Sequence, residues 1–197
     1  EALKQGMTPA RLAQLVTLAA AERVARFNVQ NEFSDWFTVL HTFTHAHAVH
    51  QSLLRSPNAA LVRAVFHSAM SIYLDRFLNI PPAPWPDAVD HIEGGSADPK
   101  ELLTILNHQQ QVAEAAQWVM DYLGSGGDKA ALFNTLGHAL LREDAEFHSF
   151  QMYEAAVIEH DHWAEEHSAF AVRAQQTMIL AATRYLAAHA PTPREIP

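Results

Sequence analysis

Residues 35–54 read DWFTVLHTFTHAHAVHQSLL, and four of the chain's thirteen histidines, His41, His45, His47 and His50, fall within ten of them. At about 100° per residue, Trp36, Leu40, Phe43, Leu53 and Leu54 share one stripe, with Val39 and Ala46 beside it. His50 lies at the centre of that stripe and His47 on its edge, whereas His41 and His45 form an i,i+4 pair on the opposite side. The seam is therefore Trp36, Leu40, Phe43, His47, His50, Leu54, spaced by four and three as in a bundle helix, with two imidazoles in place of aliphatic residues. This spacing predicts an all-α protein.

An imidazole in an apolar seam is costly unless both ring nitrogens are satisfied. Two readings follow. Each histidine is a core residue bonded to a carboxylate, hydroxyl or carbonyl, or the two act together, since ligands three apart on a helix can converge on one ion. His41 and His45 have chelating spacing too, but an exposed i,i+4 pair is more often a solvated face.

Composition narrows the chemistry. At 197 residues and 49% hydrophobic, the chain can bury one core. A formal charge of −9 opposes a nucleic-acid partner, which needs a basic face to displace counterions. Cysteine is absent, so disulfides, thiolate catalysis, thiolate zinc sites and a cysteine-held iron–sulfur cluster are excluded. No run of about 18 apolar residues occurs, and Glu1 to Gln14 lacks a signal-peptide core. A cytoplasmic protein without membrane contact is expected, although lack of cysteine fits a periplasmic one too. The chain opens without methionine and ends in APTPREIP, which suggests a segment of a larger protein.

Outward from the histidine helix, Thr8-Pro9 starts a first helix, with threonine as cap and proline in the first turn, and a stripe of Leu12, Leu15, Val16, Ala19 and Phe27 carries it to about residue 28. Arg23 and Arg26 lie on or beside that stripe, either snorkelling or paired with a buried acid. The histidine helix runs from about Ser34 to Arg55, where Ser56-Pro57-Asn58 breaks it. A third helix, about Ala59 to Leu78, is apolar nearly all round, the mark of a central element. Asn79 to Pro99 is one long proline-rich connection, read as a cover, with Ile80 and Trp85 packing down, or as a linker between halves 1–80 and 99–190 of a single domain 1–197.

A fourth helix, about Lys100 to Leu123, holds Gln109 in the middle of its apolar face, where a glutamine would orient something polar. A fifth is read as continuous from about Lys129 towards His160. Its stripe of Leu132, Leu136, Leu140, Phe147, Phe150, Val157 and Ile158 includes Glu143 and Glu154. A carboxylate there is neutralised, paired with a cation such as Arg23, Arg26, Arg76 or Arg142, or bound to a metal. Asp144 and His148 form an i,i+4 pair suited to fixing an imidazole tautomer. Glu159 and His162 have the ExxH spacing of di-iron bundles, but no second ExxH exists, and the charge density of EHDHWAEEH reads as an exposed helix end. An alanine-rich sixth helix, about Ser168 to His189, closes the chain.

Four blocks, LHTFTHAHAVHQ (40–51), YLDRFLNIPPA (73–83), LLREDAEFHSFQ (140–151) and RYLAAHAPTPRE (184–195), resemble a helical region of proteins that carry a Rieske-type [2Fe–2S] domain. His41, His50, Asp144 and His148 match recurring positions of that pattern, whereas His45 commonly aligns with an aromatic and His47 with asparagine. The resemblance implies a redox context and a Rieske-type iron–sulfur partner. It cannot place a cluster here, because a Rieske centre needs two cysteines.

The expectation is an antiparallel bundle of about six helices around a metal site of His50 and His47 with Glu143, where His148 and Asp144 are ligands or orient the ligands. Nitrogen and oxygen donors without sulfur suit non-haem iron, manganese or zinc. The redox context favours iron in an oxidoreductase, with Gln109 or Tyr73 steering a small-molecule substrate. Two alternatives stay open: a haem-binding bundle with His50 or His148 as axial ligand, and a non-catalytic interaction or dimerisation domain, a homodimer included. No glycine-rich phosphate loop is present, since Gly124-Ser125-Gly126-Gly127 follows a helix rather than a strand.

Overall fold

The computed structural model describes residues 1–78, 81–87 and 97–192, with the backbone alone of Phe33. Ile80, residues 88–96 of the long connection and the tail beyond Thr192 lie outside the described residues. The described chain is all-helical: α1 (Pro9–Ala25), α2 (Phe33–Arg55), α3 (Ala59–Asp75), α4 (Glu101–Ile105), α5 (Val112–Gly124), α6 (Lys129–Arg142), α7 (Phe147–Ala164) and α8 (Ala169–His189) follow a short 3₁₀ turn, Ala2–Gln5. None of the described helices is long and apolar enough to cross a membrane.

Local chemistry sets most boundaries. The side chains of Thr8, Asn58, Asp128 and Ser168 accept hydrogen bonds from backbone N–H groups of the first turns of α1, α3, α6 and α8. Glu32 and Asp35 cap the start of α2 reciprocally.

Two expected helices are each split. The fourth breaks after α4 because Asn107–Gln111 is polar and Gln110 adopts φ 62°, a left-handed turn. That turn rephases the chain, so that Val112, Ala115, Ala116 and Val119 reach the core and Gln109 is left exposed. The fifth breaks between α6 and α7, where Glu143 and Glu146 are both extended. Once α7 restarts at Phe147 its buried positions are Met152, Ala155, Ala156, Glu159, His160 and Trp163, and Phe147 is exposed.

Four helices form the frame. α1 packs on α2, α2 on α7, α7 on α8 and α8 on α1. Contacts fix their directions. Arg184 of α8 donates to the Phe27 carbonyl just past the end of α1, at 2.8 Å, so α1 and α8 run the same way. His41 meets His148, His47 and His50 meet Glu159, and Gln51 meets His162, so α2 and α7 also run parallel to each other. Near the opposite end, Arg11 of α1 pairs with Glu166 and covers the Trp163 ring. The frame therefore consists of two antiparallel hairpins, α1–α2 and α7–α8, laid with like directions adjacent, where the sequence pattern suggested antiparallel neighbours throughout.

The centre is α8 rather than α3. Positions 177–187 of α8 are buried all round, and Ala171, Ala174, Ala181, Ala182 and Ala187 are each 2% exposed or less, small enough for close helix approach. The apolar pattern of α3 suggests a central helix, yet among the described residues its main packing is against α1 and α2, and of its own residues Val65, Ser68 and Asp75 are buried. α5 lies on α8, and α6 on α7 and α8. The described part of the proline-rich connection rests against the α1–α2 turn, with Ala83 and Arg26 exchanging backbone and side-chain hydrogen bonds and Arg173 stacked over Trp85 at 3.3 Å.

Candidate functional site

Parallel packing of α2 on α7 brings His47 and His50, one turn apart, against Glu159. The three are 8%, 2% and 0% exposed. Both imidazoles point Nδ1 at the same carboxylate: His47 Nδ1 lies 2.8 Å from Oε1, and His50 Nδ1 lies 2.8 Å from Oε1 and 2.9 Å from Oε2. A carboxylate oxygen can only accept, so in this arrangement each histidine carries its proton on Nδ1 and leaves Nε2 free. Burial alone would raise the Glu159 pKa, but the hydrogen bonds from His47 and His50, together with their charge whenever they are protonated, outweigh it and hold the carboxyl below its ordinary value.

The far side of the cluster opens towards solvent. His47 Nε2 is 3.5 Å from the Glu154 carboxylate, which is 60% exposed. The Gln51 amide donates to Glu159 at 3.4 Å and to His162 Nε2 at 3.0 Å, and the His50 and His162 rings are 5.2 Å apart. Among the described residues, no group of three or more histidine and acidic side chains is arranged to hold a metal ion as it stands. The geometry explains this: the donors are closed on one another by hydrogen bonds.

Of the residues expected from the sequence, His47 and His50 are here, and the others are elsewhere. Glu143 accepts from the Thr192 backbone N–H at 2.6 Å and hydroxyl at 2.9 Å, and the backbone N–H of Asp144 donates to that hydroxyl at 2.7 Å. His148 bonds Gln151 at 3.3 Å and meets the His41 ring edge-on at 4.6 Å. It precedes Glu159 by three turns of α7, about 16 Å along the axis. Among the described residues no hydrogen bond or ion pair joins Glu143, Asp144 or His148 to His47 or His50. Gln109 is exposed, and only its carbonyl is used, by Gln111. Tyr73 is half exposed beneath the Arg76 guanidinium. Neither approaches the cluster.

The charge density around the Glu159–His162 ExxH pair suggests an exposed helix end, but Glu159 is the most buried carboxylate described. Its signal was the 4-3-4 spacing of Met152, Ala156, Glu159 and Trp163, visible only once α7 begins at Phe147. Glu154, expected in the stripe, lies outside it.

A second aromatic and histidine group stands at the other end of α2, where the Phe37 ring meets His148 and His189, and Phe37 and His189 line a cleft of about 150 Å³ together with Glu143, Tyr185 and Thr192. Burial first, and the His148 charge second, lower the His41 pKa. Burial pushes Tyr185 up to about 12. None of four well-formed clefts is lined by His47, His50 or Glu159.

No known family, characterised protein or solved structure matches the chain.

Proposed function

We propose that this domain binds one divalent transition-metal ion through His47, His50 and Glu159, with iron as the expected occupant, and works in a redox system. The carrying observation is that two imidazole Nδ1 atoms each lie 2.8–2.9 Å from the oxygens of one carboxylate with no exposed surface. Adjacent donors on an octahedral ion with bonds of about 2.0–2.1 Å are separated by roughly 2.9 Å. Shifting each imidazole proton from Nδ1 to Nε2 thus opens a two-histidine, one-carboxylate set with little side-chain movement, the donor set of non-haem iron oxygenases. The same shift turns His47 Nε2–H towards the Glu154 carboxylate, a partner of the kind that fixes a ligating imidazole's tautomer.

The chain's own residues have distinct parts in this reading. Glu159 arrives ionised, because its neighbours lower its pKa. Gln51 and His162 stand beside it on the solvent side, where they would orient a bound water or small substrate. A bound iron would supply one-electron chemistry, and the resemblance to Rieske-associated regions supports an iron–sulfur partner as the electron source. Haem is the weaker alternative, because His50 is 2% exposed and borders none of the four clefts.

A second reading is favoured by one observation, the mutual closure of the donors. In it the cluster is a polar lock between α2 and α7 of an interaction domain. Anaerobic titration with Fe(II) or Co(II), followed by absorption and elemental analysis, separates the two. The metal reading expects about one equivalent per chain in the wild type, at least tenfold weaker binding in His50→Ala and Glu159→Gln, and no change in His148→Ala. No binding by the wild type, or equal binding by all four, overturns it. The lock alone then predicts that metal-free Glu159→Gln loses about 2–4 kcal/mol in urea denaturation, because a donor replaces an acceptor between two buried imidazoles.

A further inference from the structure

The outer face of α3 carries Phe66, Met70, Tyr73, Leu74 and, one residue past its cap, Phe77, which are 58%, 57%, 50%, 54% and 60% exposed. Phe66, Met70, Tyr73 and Phe77 are spaced 4-3-4, the seam pattern by which one helix packs along another. We propose that this face is the contact between two copies of the chain, with α3 laid antiparallel on α3 across a two-fold axis at Met70. This inference is independent of the metal reading.

Area and register both accommodate a second copy. With side chains of this size presenting roughly 200 Å² when fully exposed, the five leave roughly 550 Å² of apolar surface. That is at the upper end of what a monomer normally shows and about two thirds of one side of a standard interface, the rest of which the flanking residues can supply. A two-fold axis at Met70 matches the seam to itself: Phe66 meets the partner's Leu74, and Met70 meets the partner's Met70.

The chain as a whole is at −9 and repels itself, but α3 presents no exposed acid, since Asp75 is 4% exposed. Its outward cations are Arg63 and Arg76. In this register each Arg63 lies across from the partner's Phe77 and about one residue from the partner's Arg76, a like-charge contact at the rim that added salt should screen, so the association is expected to strengthen with ionic strength. The rings of this face already accept a guanidinium: Arg76 lies 4.0 Å over Tyr73 and 4.6 Å over Phe77.

The test uses the whole chain in analytical ultracentrifugation at 1–100 μM or so. The wild type should reach about twice the chain mass of 21.9 kDa, and Phe66→Glu/Met70→Glu should fall to the mass of one copy with unchanged helical circular dichroism. Because the chain has no cysteine, Met70→Cys gives a single thiol at the axis. Mild oxidation should convert it to a covalent dimer, while Leu141→Cys, a 74% exposed site on α6, stays uncrosslinked. A monomeric wild type, a dimer that survives the double substitution, or equal crosslinking at 70 and 141 would overturn the proposal.

Discussion

Two buried carboxylates show what partners do for an ionisable side chain. Glu159 has both oxygens occupied by imidazole nitrogens, and its pKa is lowered despite complete burial. Asp75 is 4% exposed and receives a hydrogen bond from Thr42, but its Oδ2 has no hydrogen-bond partner. Burial therefore prevails and lifts its pKa above the ordinary 3.8, against the pull of the Thr42 bond and the Arg23 charge. A carboxyl whose folded pKa is raised contributes its stability in full below the unfolded pKa and loses it as pH rises through the folded value. Asp75→Asn, neutral throughout, is expected to equal or exceed the wild type by up to about 1 kcal/mol at pH 7. The difference should shrink towards pH 4, and urea titrations at both pH values would show it. A variant less stable at pH 7 than at pH 4, relative to wild type, would contradict the assignment. At this scale the sequence identified His47 and His50 as inward-facing, since four-and-three spacing alone places them. It marked Glu159 only through the ExxH spacing with His162, and its inward facing depends on where α7 starts.

Helix ends were legible wherever a capping residue meets an apolar run, as at Thr8, Asn58, Asp128 and Ser168. The break between α6 and α7 was not, because Arg142 to Glu146 contains neither glycine nor proline. Its cause is tertiary: Glu143 leaves the helix to bind Thr192, from the far end of the chain. The α5–α6 turn is decided locally instead. Gly126 adopts φ +82°, and a Cβ on Gly127 would lie 2.4 Å from the Tyr122 ring. That ring is 3% exposed, stacks on Trp118 at 5.2 Å and bonds the Asp128 carbonyl, so it has little room to yield. Gly127→Ala should cost about 1–3 kcal/mol in chemical denaturation. Its near-ultraviolet spectrum should also change as the Trp118–Tyr122 stack shifts. A variant as stable as wild type would show that the ring moves freely.

For the whole molecule, burial ranks the helices. α8 is enclosed by α1, α5, α6 and α7, whereas α3 meets solvent along most of its length. In the Phe66→Glu/Met70→Glu chain, amides of α8 should exchange with deuterium only on global unfolding, and those of α3 through smaller openings, at least tenfold faster. Equal protection of both would mean that α3 belongs to the same cooperative unit. By itself, the sequence determined the helical class, the capped starts and the inward pair on α2, because these follow from a 3.6-residue period and from side chains bonding their own backbone. Tertiary structure decided which helix is central, where the fifth expected helix breaks, and which carboxylate meets the two histidines. Those outcomes depend on competition among faces distant in the chain: α8's alanines allow a closer approach than α3's large side chains, so α8 takes the interior and α3 keeps an apolar face outside.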